Sequence, residues 1–392
     1  LAADAEIQID TGSSLTLNPT SGSAVTGTYN LTIHSVGTSS INDPIATSTG
    51  ELTKTGAGTL TLSGANSYTG STTISEGTIK VGGSGSLGQG SYSGSILNAG
   101  GFDFASSTNQ ILSGVISSTG TLTHSGSGTL TLSGTNTYSG ATTISAGTLL
   151  ITGKLGDGSY ANTIVNSGIL SYSSNSNQVI SGIISGTGSV VKFGTGALTL
   201  SAMNTYSGGT TVNAGTLFGG AASRSNTTFG SGAITVATGA SLWIDRTDDN
   251  VMTNTLNLNG GTLRGTNGFG EYWDGDIVLG ANSIIDNNYN FIIDGVISGG
   301  YGVTKTQNGN LKLRASNTYT GNTTISSGTI TVSGLLGSGS YAGDISNAGT
   351  VVFNSSDDQT LSGVISGAGA LTQSGASTLT LSGTNTYSGS TN

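Results

Sequence analysis

The chain has 392 residues, with 67 glycines, 2 prolines, no cysteine, 7% charged residues and a net charge of −9. Its ten basic residues are sparse and scattered, which excludes the Lys/Arg clusters that bind nucleic acid and argues against electrostatic adhesion to anionic membranes. No run approaches the roughly 18 apolar residues of a membrane-spanning helix and no segment shows a 3.6-residue period, so the sequence predicts an almost wholly β chain that does not itself insert into a membrane.

The chain opens on Leu1-Ala2-Ala3-Asp4, which resembles a mature end left after removal of a signal peptide. An exported chain without cysteine holds itself together by backbone pairing and burial. Residues 1–51 read as N-terminal coils.

Regular repeats occupy residues 52–216. The stretch TLTLSGANSYTGSTTISEGTIKV, from Thr59 to Val81, returns as TLTLSGTNTYSGATTISAGTLLI, from Thr129 to Ile151. A tag Asn-x-Tyr-x-Gly recurs with its tyrosines at Tyr68, Tyr138, Tyr206, Tyr319 and Tyr387. Three of the four intervals are nearly equal, and that between Tyr206 and Tyr319 is more than half as long again. Within a unit, Leu60 and Leu62 alternate with Thr59 and Thr61, and Ile79 and Val81 with Thr78 and Lys80. That period of two predicts short strands with the aliphatic residues inward, broken by Gly-rich turns. Three strands in about 23 residues describe one turn of a parallel β-helix, a β-solenoid of roughly 17 coils. On this reading a repeat of about 68 residues makes three coils, and the long interval holds two more. Glycine supplies the positive φ of tight corners. Asn136 and Tyr138 read as structural, the amide binding backbone and the ring covering a corner with a wet hydroxyl.

The divergent interval 217–298 contains Trp243 and Trp273, Arg224, Arg246 and Arg264, and eight of the nineteen acids. A ligand site concentrates here, with Trp243, Tyr272 and Trp273 offering aromatic faces to a sugar ring beside Asp274 and Asp276. The two carboxylates share a face and, as a third reading of the chain, suit the acid/base chemistry of a glycan-active enzyme. The leading reading has no catalytic residue, no metal site and no cofactor. Asp245 to Asn250 is dense in hard oxygen ligands but lacks a calcium-loop spacing, and so reads as a polar loop. His34 lies in the N-terminal coils; His124 takes a position filled elsewhere by Lys54, Lys192, Lys305 and Gln373, which is read as outward.

Residues 299–392 resume the regular pattern and stop partway through a coil, at Tyr387-Ser-Gly-Ser-Thr-Asn392. Reading Asn392 on into Leu1 lays Ile7 and Ile9 over Ile79 and Val81. Leu1, Ile7, Ile9, Tyr387 and Asn392 are therefore expected to form an assembly interface in a head-to-tail filament, the alternative to a stalk.

LTKTGAGTLTLSGANSYTGSTTISEGTIKV, from Leu52 to Val81, resembles the passenger-associated transport repeat of bacterial autotransporters, with further matches from Leu122, Val190, Val303 and Leu371. The resemblance implies a right-handed β-helix exported through the outer membrane and displayed on, or released from, the bacterial surface. It implies no catalytic residues. The sequence thus predicts a non-catalytic extracellular adhesin or stalk, whose partner is a host or neighbouring-cell surface, with glycan as the candidate ligand.

Overall fold

A computed structural model describes residues 1–19, 21–220, 227–245, 251–266 and 271–392. Short parallel strands stack into a β-solenoid of about 18 coils, as the alternation predicts. Two compact units are present: Leu1–Gly196 with Thr205–Ser207, and Ala197–Asn204 with Gly208–Asn392.

In the first unit the coil is three-sided, and each side is a parallel ladder. The first face stacks Ala5–Ile9, Leu31–Ser35, Leu52–Thr55, Thr72–Ile74, Ile96–Asn98 and Ile116–Ser117. On the second face Leu60, Ile79, Phe102 and Leu122 pair in register and point inward, at most 1% exposed. The first residues of those strands, Thr59 and Thr78, face outward. Burying one aliphatic residue per strand per coil contributes about 1.5–3 kcal/mol each before the cost of ordering the chain.

The coil is shorter than its repeats suggested. The cross-coil bonds from Asn66 to Ile45 and from Asn136 to Ile116 span 21 and 20 positions of the chain, and the ladders advance by similar steps, as where Thr53 pairs with Thr73 and Leu170 with Val190. From Leu52–Thr55 the chain makes three full coils along the first face, reaching Ile116–Ser117, before the repeat restarts at Thr121–His124 on the second face. It restarts again at Ser189–Lys192 on the third. Each repeat therefore spans three coils and a third and steps round by one face, in place of the three whole coils expected. In the second unit, Thr210–Val212 and its counterpart Thr323–Ile325 are separated by five coils and a third. The long interval thus adds two whole coils and keeps the one-face step.

Glycine serves close approach more than positive φ. Gly37, Gly58, Gly77, Gly100, Gly120 and Gly140 form one corner column, and a Cβ on each upper member would lie 1.9–2.3 Å from the carbonyl oxygen of the glycine beneath. Of these six, only Gly77 has a positive φ, +69°.

The tags build the interior. Tyr68, Tyr138, Tyr206 and Tyr319 are at most 1% exposed, so their hydroxyls are not wet. Tyr138 Oη lies 2.8 Å from Thr142 Oγ1, which lies 2.7 Å from Tyr160 Oη, and Tyr160 donates to Gly140 O at 2.6 Å. The paired rings of Tyr138 and Tyr160 have centroids 5.7 Å apart. The same relay runs through Tyr68, Thr72 and Tyr92, and through Tyr319, Thr323 and Tyr341. The tag's asparagine staples three coils: Asn136 Oδ1 accepts the Ile116 N–H at 2.9 Å, while Nδ2 donates to Gly134 O at 3.0 Å and Lys154 O at 3.2 Å.

Lys54, His124, Lys192 and Lys305 are all inside, each 0% exposed, and Gln373 is half-buried; the outward reading was wrong. Lys54 stands two residues from buried Leu52 on one strand, so both share the inner face. Its Nζ donates to Thr55 O at 2.7 Å, Ser35 O at 3.2 Å and Gly56 O. Lys192 Nζ donates to Phe193 O at 2.5 Å and Gly194 O at 2.7 Å, and Lys305 Nζ to Gln307 O at 2.7 Å and Thr306 O. In the second repeat, both ring nitrogens of His124 lie 3.0 Å from carbonyl oxygens, those of Phe104 and Gly128. At each corner the donor caps carbonyls that turn inward. These are internal caps, and the His124 ring nitrogens face carbonyl oxygens.

Burial pulls the Lys192 and Lys305 ammonium groups down from 10.5 to about 8, and pushes the Tyr92 hydroxyl up to about 12. A depressed lysine value means that the unfolded chain holds protons the folded chain has released. The lysine contribution to stability therefore rises between about pH 8 and 10.5. For Tyr92 the folded chain holds the extra proton, so its contribution is lost as pH rises from 10 through 12. Thermal midpoints are expected to climb from pH 8 to 10, and a Lys192→Met/Lys305→Met double variant is expected to flatten that climb. An identical slope in the variant would remove these lysines from the account.

Among the terminal residues, Ile9 is 4% exposed, and Ile7 pairs with Ile33. The Leu1 amino group donates to Thr26 O. Tyr387 is half-buried, with its hydroxyl 2.8 Å from Thr391 Oγ1, and Asn392 N–H donates to Leu371 O at 3.0 Å.

Candidate functional site

The outward surface of the second unit changes character in the divergent coils. Strands Thr216–Gly219, Ser241–Ile244, Thr262–Gly265 and Ser283–Asn287 pair in parallel. Leu217, Leu242, Leu263 and Ile285 are the inward members, each 0% exposed. Alternation then sends Phe218, Trp243, Arg264 and Asp286 outward, and the register aligns them as one row across four coils.

The row is internally bonded. The Phe218 and Trp243 ring centroids lie 6.3 Å apart, edge to face. The Arg264 guanidinium carbon stands 4.5 Å from the Trp243 ring centroid, close enough for cation–π attraction. Arg264 Nε is 3.4 Å from Asp286 Oδ2, with the two side chains 27% and 11% exposed, and Asp286 Oδ1 accepts the Thr306 hydroxyl at 2.9 Å. The row presents aromatic rings and a guanidinium, with the Arg264 charge balanced by the largely buried Asp286.

The other expected ligand residues do not gather there. Tyr272 and Trp273 are neighbours on the strand Glu271–Trp273, so they face opposite ways: Tyr272 outward, Trp273 into the core at 0% exposure. Trp273 is thus closed to a ligand. Tyr272 lies on a different sheet from Trp243, beneath Arg314, whose guanidinium carbon is 5.8 Å from its centroid. Arg314 also pairs with Asp294 at 3.4 Å.

The two carboxylates serve different roles. Asp276 Oδ1 accepts the Val296 N–H at 3.0 Å, a corner cap repeated by Asp344 and Val364 at 2.8 Å. Asp274 is exposed, and partial burial together with the charge of Asp294 raises its carboxyl above the ordinary value, Arg314 opposing. The close carboxylate partner of Asp274 is Asp294 on the next coil. Arg224 and residues 246–250, the latter holding most of the weighed calcium loop, lie outside the described residues. Among the described residues no group of three or more His, Cys, Asp or Glu is placed to hold a metal ion.

Sequence reasoning missed Phe218, Arg264, Asp286 and Arg314 as surface partners. The signal was present in the alternation of Thr-Leu-Phe-Gly, Ser-Leu-Trp-Ile and Thr-Leu-Arg-Gly, each with leucine inward and the next residue outward.

The passenger-associated-transport-repeat model matches residues 52–81, 119–151, 190–217, 303–332 and 371–392. Over 166 residues the chain is 33% identical to the adhesin BmaC autotransporter of Brucella suis biovar 1 (strain 1330), a match covering 41% of this chain and 4% of that protein. No solved structure matches. The chain thus carries five passenger-associated transport repeats wound into a parallel β-solenoid, and spans a small part of the autotransporter adhesin that it resembles over two fifths of its own length.

Proposed function

We propose that the segment works as a non-catalytic adhesive stalk, in which the regular coils supply length and the divergent coils supply contact. The observation that carries this reading is the contrast in where polar and aromatic chemistry is placed. The repeats turn Tyr, Asn, Lys and His inward, whereas the divergent coils turn Phe218, Trp243 and Arg264 outward in one row that ends on the largely buried Asp286. A similar protein named as an adhesin supports the class of function. The carboxylates of Asp276, Asp286 and Asp294 are committed to an amide or a guanidinium, which favours recognition over acid/base turnover. The row's partner is a glycan on a host or neighbouring cell: sugar C–H groups meet the ring edges while hydroxyls meet the Arg264–Asp286 pair.

Display of the chain on a non-adherent bacterium, followed by counting cells attached to an epithelial monolayer, tests this. A Trp243→Ser/Arg264→Ser variant is expected to reduce attachment by about tenfold or more, the loss typical of removing central aromatic and arginine anchors, with surface amount unchanged. Attachment equal to the parent would refute the contact role of this row.

A further inference from the structure

A cavity of about 390 Å³ opens in the first unit over the buried Tyr138–Tyr160 pair, and Thr137, Ser139, Asp157, Ser159 and Asn162 line it. It lies in the second repeat, well away in sequence from the divergent coils, and internal copies of the same turn provide a control for what the fold requires there.

The turn recurs as Gly88-Gln89-Gly90, Gly156-Asp157-Gly158 and Gly337-Ser338-Gly339, with the middle residue at φ 55°, 51° and 52°. Glutamine, aspartate and serine all serve, so the backbone makes no demand that Asp157 alone satisfies. Five residues on, Asn162 stands where the other copies have Gly94 and Gly343. At those glycines a Cβ would come within 2.6 Å of both the neighbouring tyrosine hydroxyl and a glycine carbonyl oxygen beneath. A side chain at this place requires the backbone to stand away from the tyrosine, and the cavity lies against that segment. The second repeat therefore differs from both other copies at Asn162, which adds a hydrogen-bonding group, and carries the charged member, Asp157, at the variable position; both line one cavity.

The lining defines the ligand. Asp157 supplies the only formal charge among the lining residues, and its two oxygens accept hydrogen bonds from adjacent hydroxyls in a bidentate manner. Asn162 donates and accepts, and the three hydroxyls of Thr137, Ser139 and Ser159 do either. The volume lies near the small end of ligand pockets, about 300–1,000 Å³, and fits one sugar ring. We propose that this cavity is a saccharide pocket that takes a single neutral pyranose through vicinal hydroxyls, independent of the row on the divergent coils.

Saturation-transfer NMR on the full chain with methyl glycosides of neutral hexoses and N-acetylhexosamines tests the assignment. At least one glycoside is expected to receive saturation at its ring protons. Asp157→Ser/Asn162→Gly installs the residues that the fourth repeat carries in the same turn, and is expected to weaken binding at least tenfold. Asp157→Asn, which removes the charge and keeps the shape, is expected to weaken it by a smaller factor, and Tyr301→Ser, a change at an exposed residue of the second unit, to leave it unchanged. No transfer from any glycoside, transfer undiminished in the double variant, or transfer lost with Tyr301→Ser would each overturn the proposal.

Discussion

Gly140→Ala is expected to destabilise its coil by about 3 kcal/mol or more, at the upper end of overpacking costs. The added Cβ would sit 2.1 Å from Gly120 O and 2.5 Å from Gly120 C, whereas ordinary contact begins near 3.4 Å. Adjacent coils are fixed about 4.8 Å apart by their ladder hydrogen bonds, so relief of the clash must stretch the pairing on both sides of the corner. Gly83→Ala provides the contrast: nothing lies within 4 Å of its Cβ, and its φ of +63° is the sole penalty, about 1–2 kcal/mol. Because a solenoid is stabilised by nearest-neighbour contacts, the effect is local. Amide exchange at Leu122 and Thr142–Ile144, flanking the corner, is expected to accelerate far more than at Leu60 or Ile330. Equal effects of the two substitutions would show that the corner column does not set the coil spacing.

The glycine column illustrates how composition was read correctly for fold and incorrectly for cause. Abundant glycine at fixed places predicted corners, and corners are where these glycines stand. The reason at most of them is the approach of another coil, which requires knowing what lies beneath each residue. Lys54 was more accessible to reasoning than its assignment suggested. It stands two residues after Leu52, so the period of two that placed the leucine inside also placed the lysine inside. A charged side chain can stand there because backbone carbonyls at an inward corner are partners enough for an ammonium group.

The row on the divergent coils was hidden for another reason. Phe218, Trp243, Arg264 and Asp286 are unevenly spaced along the chain, and unequal loops conceal a register that only strand pairing reveals. The repeat length misled in a related way. Three strands per coil and a repeat that restarts on the next strand yield a step of one face, which no period counted along the chain distinguishes from a whole number of coils. The consequence is functional: in the first unit, equivalent surfaces of successive repeats point in three directions. A ligand approaching from one side meets one copy in three. Contact residues then serve better when confined to one departure from the repeat, as in the row and the Asp157 cavity, than when copied into every repeat.

Asn136→Ala is expected to be as damaging as a large core truncation, at about 3–5 kcal/mol, although it removes only a small amide. Its side chain satisfies the Ile116 N–H on the coil below, Gly134 O on its own coil and Lys154 O on the coil above. The Ile116 N–H loses its side-chain acceptor and Lys154 O a donor, at roughly 1–3 kcal/mol for each buried group left unpaired, while Gly134 O keeps the Lys154 N–H at 3.1 Å; the gap left by a side chain that is itself 0% exposed adds to the cost. Asn136→Asp separates hydrogen bonding from packing. It keeps the volume and the acceptor for Ile116 but turns a carboxylate oxygen toward two carbonyls, so it is expected to destabilise at neutral pH at least as much as alanine and to recover partly on acidification, when a protonated carboxyl can donate to one of them. The same geometry at Asn66, with Ile45, Gly64 and Ser86, and at Asn317, with Ile297, Ala315 and Leu335, predicts the same ordering of variants in each repeat. The measurement is the proteolytic cleavage rate at neighbouring corners alongside the thermal midpoint. An alanine variant within about 0.5 kcal/mol of the parent, the range of an ordinary surface substitution, would show that the coils are held without these staples and that the tag's asparagine has another use.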